Sequence, residues 1–307
     1  MELTHPFILA HYELKTPDIR ALIRQLRTWI FASIKGGMII GEKRVGKSYA
    51  IRYVVDNIAG LLGHDCYAFR VLWKSTKHFN ERRFWVRMLA ATGYDTTLPG
   101  DADRLEQRFY QRIVLQCEDV GAPVCVLFLD DAQNITPDEF VFLCHAFNEL
   151  ESRGIRLYTW LVGQTELKHT RTLMQETGNG QIIARFMEHE FEMGGVASAR
   201  TLKSLLRQLD NQGVTACAAR KATDNGFVLA STANDVWSIK REVDKECGQT
   251  SAVPWTMQQF HSIIAIFVQM LELRDRKQID VPLDELKKVI KMIQTRASVR
   301  AIDDASE

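Results

Sequence analysis

The chain has 307 residues, 46% of them hydrophobic and 25% charged, with a formal net charge of +1. This is ordinary soluble, globular composition, enough for one large domain or two modest ones, and no apolar run approaches the ~18 residues of a membrane span. No charged-then-apolar leader is present, and Cys66, Cys117, Cys125, Cys144, Cys217 and Cys247 are scattered without a C-x-x-C pair or a histidine cluster. Reduced, mostly buried thiols in a cytoplasmic protein without zinc are therefore expected.

The small net charge hides an asymmetry. Residues 1–100 hold 15 Lys+Arg against 8 Asp+Glu, and the remainder 24 against 30. A basic N-terminal part suits a polyanion. Residues 1–15 have no clear period and read as an extended lead-in. A helix then starts with Thr16 as N-cap, Pro17 in the first helical position and Asp18 in the first turn, and buries Ile19, Leu22, Ile23, Leu26, Trp29 and Ile30. Arg20, Arg24 and Arg27 line another face, read as solvated.

The apolar run Met38-Ile39-Ile40 leads into Gly41-x-x-x-x-Gly46-Lys47-Ser48, and residues 49–58 carry apolar side chains at helical spacing. Strand, glycine-bounded turn and helix are the context a phosphate-binding loop requires. The glycines let the backbone curl so that successive N–H groups face one point, and the helix adds its dipole there. Lys47 then reaches the β- and γ-phosphates and Ser48 offers its hydroxyl to Mg²⁺. Glu42, Lys43, Arg44, Val45 and Tyr49 complete the expected nucleotide-binding set.

An apolar strand follows at residues 66–73. The basic, polar stretch after it holds Lys74, Ser75, Thr76, Lys77, Arg82 and Arg83 and leads into a helix ending near Gly93. Another helix fits residues 103–119, broken by Gly121-Ala-Pro123. Residues 124–129 form an almost continuous apolar strand of the kind buried on both faces in a parallel sheet, ending in Asp130-Asp131-Ala132-Gln133. A helix over 137–153, a strand over 155–162 closed by Gly163-Gln164, a helical stretch reaching Phe186 and a short strand at 189–193 complete an alternating α/β pattern. From Ser198 on the pattern is helical only: 198–212, 215–223, 233–245, 256–273 and 283–296. The expected divisions are residues 1–35 (lead-in and helix), 36–193 (α/β nucleotide-binding domain), 194–250 (helical lid) and 251–307 (helical extension).

Ligands of open α/β sheets sit at the carboxyl ends of strands. Asp130 is placed there to hold Mg²⁺ with Ser48, and Asp131 to orient or deprotonate an attacking water. The bland alternative is a pair of acids capping the next helix. With no Asn-Lys-x-Asp for guanine, ATP is the expected nucleotide.

Taken together, the glycine loop, Asp-Asp-Ala-Gln and the run Leu161-Val-Gly-Gln-Thr-Glu-Leu167 resemble AAA+ ATPases of the TnsC/TniB type, bacterial transposon-encoded regulators; a secretion-type ATPase family shares a similar Val-Gly-Gln-x-x-Leu run. The resemblance implies an AAA+ P-loop NTPase fold, with a parallel five-stranded sheet of order 5-1-4-3-2 and a C-terminal helical lid. It implies ATP hydrolysis, homo-oligomeric rings or helical filaments on double-stranded DNA, and a transposase and a targeting protein as partners. Gly41 through Ser48 match Walker A, and Asp130 and Asp131 match Walker B. Gln164 is the first choice for sensor 1, with Thr159 second. Arg185 matches an arginine finger, or else pairs within its own subunit. DNA contact in such proteins is backbone-directed, and Lys74, Ser75, Thr76, Lys77, Arg82 and Arg83 are the best local match, with a solvated loop as the alternative.

Two departures bear on rate. Asp131 stands where the family has Glu, one methylene longer. Asn234-Asp235-Val236-Trp237 occupies the register of the lid arginine, so Lys240 or Arg241 would have to substitute. Both point to slow hydrolysis and a switch that holds ATP rather than a fast motor; the alternatives are an AAA+ ATPase acting on a protein partner, as in secretion or chaperoning, and a slowly or non-hydrolysing nucleotide-dependent scaffold. The amphipathic tail from residue 274 either docks a partner or packs on the lid.

Overall fold

Apolar runs without alternation, at residues 38–40, 124–129 and 160–162, have to be covered on both faces. In the computed structural model, which describes residues 6–9, 12–63, 65–75, 78–95, 100–249, 251, 253–273 and 282–306, they are the central strands of a sheet. Strands β1 (Gly36–Gly41), β2 (Tyr67–Leu72), β3 (Val124–Asp130), β4 (Arg156–Gly163) and β5 (Glu190–Met193) lie in the order β2-β3-β4-β1-β5, every pair parallel. This is the expected 5-1-4-3-2 order read from the other edge.

Two compact units divide the chain. The sheet unit comprises Ala21–Lys43 and Lys47–Met193; the helical unit comprises Met1–Arg20, Arg44–Gly46 and Gly194–Glu307. In the sheet unit, Met38, Ile40, Leu127, Leu129 and Leu161 share one core with Trp85 of helix Glu81–Ala91, Phe109 of Ala102–Asp119 and Phe140 of Pro137–Ser152. Trp160 of β4 is instead covered by Trp29 of helix Pro17–Phe31, their rings stacked 5.0 Å apart. Helix starts follow side-chain caps: Thr16, Asn80 and Asp101 each accept a backbone N–H three residues on. Thr136 and Glu139 form a reciprocal capping box.

Gly36, at the start of β1, is required by a close approach: a Cβ there would lie 2.0 Å from the Arg185 carbonyl oxygen, a backbone atom that cannot swing aside. Gly36→Ala is therefore expected to cost about 1–3 kcal/mol, measured by urea unfolding.

The helical unit has its own core, which joins Leu202, Leu205, Leu206 and Leu209 of Ala199–Asn211 to Phe260, Ile264 and Phe267 of Met257–Leu273. Leu286 and Ile290 of the last helix, Leu283–Ser306, are buried in this core, while Lys287 and Lys291 pair with Glu242 and Glu246 of helix Ala233–Glu246. From Leu286 to Gln294 the tail thus packs within this unit, while residues 274–281 lie outside the described residues. The lead-in differs from the extended segment expected. Pro6–Leu9 is a short helix, and after it Gln208 and Gln212 clamp the chain with their amides, each both donating to and accepting from the backbone, at Lys15 and Glu13 respectively. The helical stretch before β5 is two helices, Leu167–Glu176 and Gly180–Phe186, separated at Gly178 with φ 76°. The expected helix over 215–223 is likewise split, into Val214–Ala218 and Arg220–Thr223.

Candidate nucleotide-binding site

Register brings the sequence-selected residues to one edge of the sheet unit. Ile40 lies opposite Gly163 and Asp130 opposite Val162, so β1, β3 and β4 end side by side. The glycine loop leaves β1 here, Asp130 and Asp131 close β3, and Gln164 follows β4. Helix Lys47–Asp56 begins directly after Gly46, whose φ of 106° only glycine adopts readily. Arg44, at φ 64°, makes the other left-handed turn of the loop.

Lys47 is buried, and its ammonium donates to the carbonyls of Gly41 (2.6 Å) and Glu42 (2.8 Å). An ammonium has three donors, so the geometry leaves one for an anion at the loop. Burial lowers the Lys47 pKa below the usual lysine value, and the charges of Asp130, Glu42, Asp131 and Glu166 oppose that shift. The site therefore strains to keep its cation charged, and a polyanion at the loop adds to the carboxylates' side of the balance. Ser48 and Glu42 are exposed, and Tyr49 is half-buried with Arg52 over its ring.

Asp130 is 1% exposed. Its Oδ1 accepts the Asp131 backbone N–H at 3.1 Å. Its Oδ2 is buried without a hydrogen-bond partner, although the Arg70 guanidinium is 3.2 Å away. The two observations agree once geometry is considered: Arg70 is near enough to be an ion pair but is not aimed as a donor. A buried carboxylate oxygen left in this way fits a Mg²⁺ ligand, with Ser48 as its hydroxyl partner. Asp131 has φ 57°, an unusual conformation for a residue other than glycine and one that aspartate tolerates better than most. Gln133 donates to the Asp131 carboxylate (3.4 Å), and its oxygen accepts the Gln164 backbone N–H (3.4 Å).

Thr159, the second choice for sensor 1, is not at this edge. It pairs with Gly36 at the start of β1 and is buried mid-strand, roughly 13 Å short of Gly163 at ~3.3 Å per residue. Arg185 also lies at the opposite end, beside Gly36. Its guanidinium stacks on Phe147, 5.1 Å from the ring centre, and donates to the Cys144 carbonyl at 3.4 Å, the within-chain pairing left open by the sequence. Lys240 cannot substitute for a lid arginine: it is fully buried and bonded to Asp244 at 2.5 Å. Arg241 is exposed.

The basic stretch starts from the same edge. The Trp73 N–H donates to the Asp130 carbonyl (2.7 Å), and the Trp73 indole N–H to Glu139 (3.0 Å). Arg87 covers the Trp73 ring and donates to the Lys74 carbonyl. Lys74, Ser75, Arg82 and Arg83 are exposed, with Arg82 bonded to the Gly100 carbonyl; Thr76 and Lys77 lie outside the described residues. Arg70, Glu166 and the linking role of Gln133 are not evident from the sequence. For Arg70, the one signal there is a lone charge in an otherwise apolar strand.

Among the described residues no helix is long and apolar enough to cross a membrane, and no group of three or more His, Cys, Asp or Glu could hold a metal ion. The Mg²⁺ set above relies on a hydroxyl and one carboxylate and is not of that kind.

The fold is that of an AAA+ P-loop protein. Residues 35–170 match a family model described as an AAA domain. The ORC2 protein of Aeropyrum pernix, in its ADP form, matches with a TM-score of 0.58 and 15% identity, over 91% of this chain and 69% of that one. Domain III of the Thermotoga maritima replication initiation protein DnaA gives a TM-score of 0.49 and 13% identity, over 95% and 99%. At these identities the likeness is one of fold, and it is the first of the two that carries it. No curated protein sequence matches the chain.

Proposed function

We propose that the chain is an ATP-dependent, DNA-binding assembly ATPase that regulates transposition in the manner of TnsC/TniB proteins. It would form rings or filaments on duplex DNA and recruit or activate a transposase for target-site selection, with a targeting protein as a further partner. The observation that carries the reading is the convergence of Lys47, Asp130, Asp131 and Gln164 at one sheet edge, from which the basic stretch beginning at Lys74 also departs. Mg-ATP, when bound, supplies the reactive γ-phosphate. Lys47 would hold the β- and γ-phosphates, Ser48 and Asp130 the Mg²⁺, and Asp131 would accept the proton of the attacking water, with Gln164 close by as sensor. Arg185 would serve a neighbouring subunit only after leaving Phe147.

Duplex binding should require ATP or its analogue and fall steeply with salt. Replacing Lys74, Arg82 and Arg83 together by alanine should reduce the slope of log K against log[salt] by about 0.9 for each phosphate that is no longer neutralised. Fluorescence anisotropy with ATP, with ADP and without nucleotide measures this. Binding indifferent to nucleotide and salt would rule the reading out.

A second reading, a slow or non-hydrolysing nucleotide-dependent scaffold, is motivated by Asp131 standing where the family has Glu and by the burial of Lys240, which removes one of the two cations able to stand in for the missing lid arginine. Tight ATP binding without turnover would support it.

A further inference from the structure

Gln133 belongs to neither the phosphate loop nor the acidic pair, yet it touches both strand ends that flank Asp131. We infer that Gln133 is a positioning residue that fixes the Asp131 carboxylate to the end of β4, an inference resting on the hydrolytic role proposed for Asp131. Three observations support it. The side-chain amide bridges Asp131 Oδ1 and the Gln164 N–H, each at 3.4 Å. An ionised carboxylate only accepts and a backbone N–H only donates, so the bridge needs one donor and one acceptor in the same side chain. Glutamine supplies both; glutamate, of nearly the same size, lacks the donor.

The second observation is Gly163. A Cβ at this position would lie 2.7 Å from Gln133 Oε1, so the residue closing β4 leaves the space that the Gln133 amide fills. The third is the Asp131 backbone at φ 57°. A residue held in a sparsely populated conformation keeps it when its surroundings over-determine it. Here Asn134 N–H closes a turn onto the Asp131 carbonyl at 3.0 Å, and Asn134 Nδ2 is tied to the Trp73 carbonyl at 3.2 Å. The backbone sets where Asp131 starts, and Gln133 sets where its carboxylate points. Because the bridge ends on Gln164, a shift of the β4 end passes directly to Asp131. This is a route by which the sensor position could govern the water-activating group.

The test is steady-state ATPase kinetics together with binding of a fluorescent ATP analogue, on the full chain with and without duplex DNA. Gln133→Ala and Gln133→Glu are both expected to lower kcat about tenfold to a hundredfold, while nucleotide affinity stays within twofold, since ångström-scale misplacement of a reacting group costs that much. Retained activity in Gln133→Glu would mean that volume alone matters and would overturn the inference. Gly163→Ala should reproduce the phenotype from the neighbouring strand, and the Gly163→Ala/Gln133→Ala pair should be no slower than either alone; additive losses would overturn it. Thermal unfolding identifies any variant that fails to fold, and Gln133→Glu, which keeps the volume, is the arm that then decides. Turnover lost in Asp131→Asn but intact in Gln133→Ala sinks this inference alone. No turnover in the unaltered chain sinks the hydrolytic reading and the inference with it.

Discussion

Lys47→Ala is expected to weaken ATP binding at least a hundredfold, about 2.7 kcal/mol or more, in a titration with a fluorescent analogue. The size follows from what surrounds the ammonium. Lys47 is buried, and four carboxylates, those of Asp130, Glu42, Asp131 and Glu166, act on its charge. On the role proposed for Lys47, removing the cation would take away the direct phosphate contact and also expose a triphosphate to that acidic group without compensation. Lys47→Arg keeps the charge but not the compact ammonium that reaches the Gly41 and Glu42 carbonyls at 2.6 and 2.8 Å, so only partial recovery is expected. The pH dependence has a definite sign. Burial lowers the Lys47 pKa, so as pH rises the charge is lost sooner than on an exposed lysine. ATP affinity should therefore fall on the alkaline side, beginning below the usual lysine range, and the Lys47→Ala protein should lack this limb.

The parts of this site visible in the sequence are those whose chemistry is local. Gly41, Gly46, Lys47 and Ser48 are one turn of chain, and Asp130 ends an apolar run whose length marks it as a central strand. Pairing those runs as parallel strands is enough to bring the loop, Asp130 and Gln164 to one edge. What stays hidden depends on register or on partners far away in the chain. Thr159 and Gln164 lie in and just after the same strand, and the pairing of Thr159 with Gly36 places it mid-strand, short of the edge. Arg70 approaches Asp130 from the neighbouring strand across 60 positions of sequence. The lead-in shows no periodicity because its anchors are irregular: Phe7 and Leu14 enter the helical core, and side-chain amides nearly two hundred residues away hold Glu13 and Lys15. Lys240 and Asp244, four apart on a helix, look like a solvent pair in sequence. Their burial comes from tertiary packing alone.

That pair sets the largest stability effect expected. Lys240 is 0% exposed and Asp244 2%, with the ammonium 2.5 Å from Asp244 Oδ2 and over the rings of Trp237 (5.1 Å) and Trp255 (5.8 Å). The other Asp244 oxygen accepts from the Gln294 side chain at 3.0 Å. Asp244→Ala leaves an ammonium in the core with only aromatic faces to balance it, and is expected to cost about 3–5 kcal/mol, read as a lower urea midpoint of the helical unit. Asp244→Asn keeps the shape and the Gln294 contact through its oxygen yet still removes the counter-charge, so it should lie close to the alanine variant. A double change, Lys240→Met with Asp244→Leu, removes both charges together and should recover most of the stability, because an apolar pair of similar volume has no desolvation cost to offset. If instead Lys240 carried nucleotide contact from the lid, the double variant would bind ATP markedly less well than the unaltered chain. The buried pair predicts that it will not: with its ammonium committed to Asp244, Lys240 belongs to the core of the helical unit.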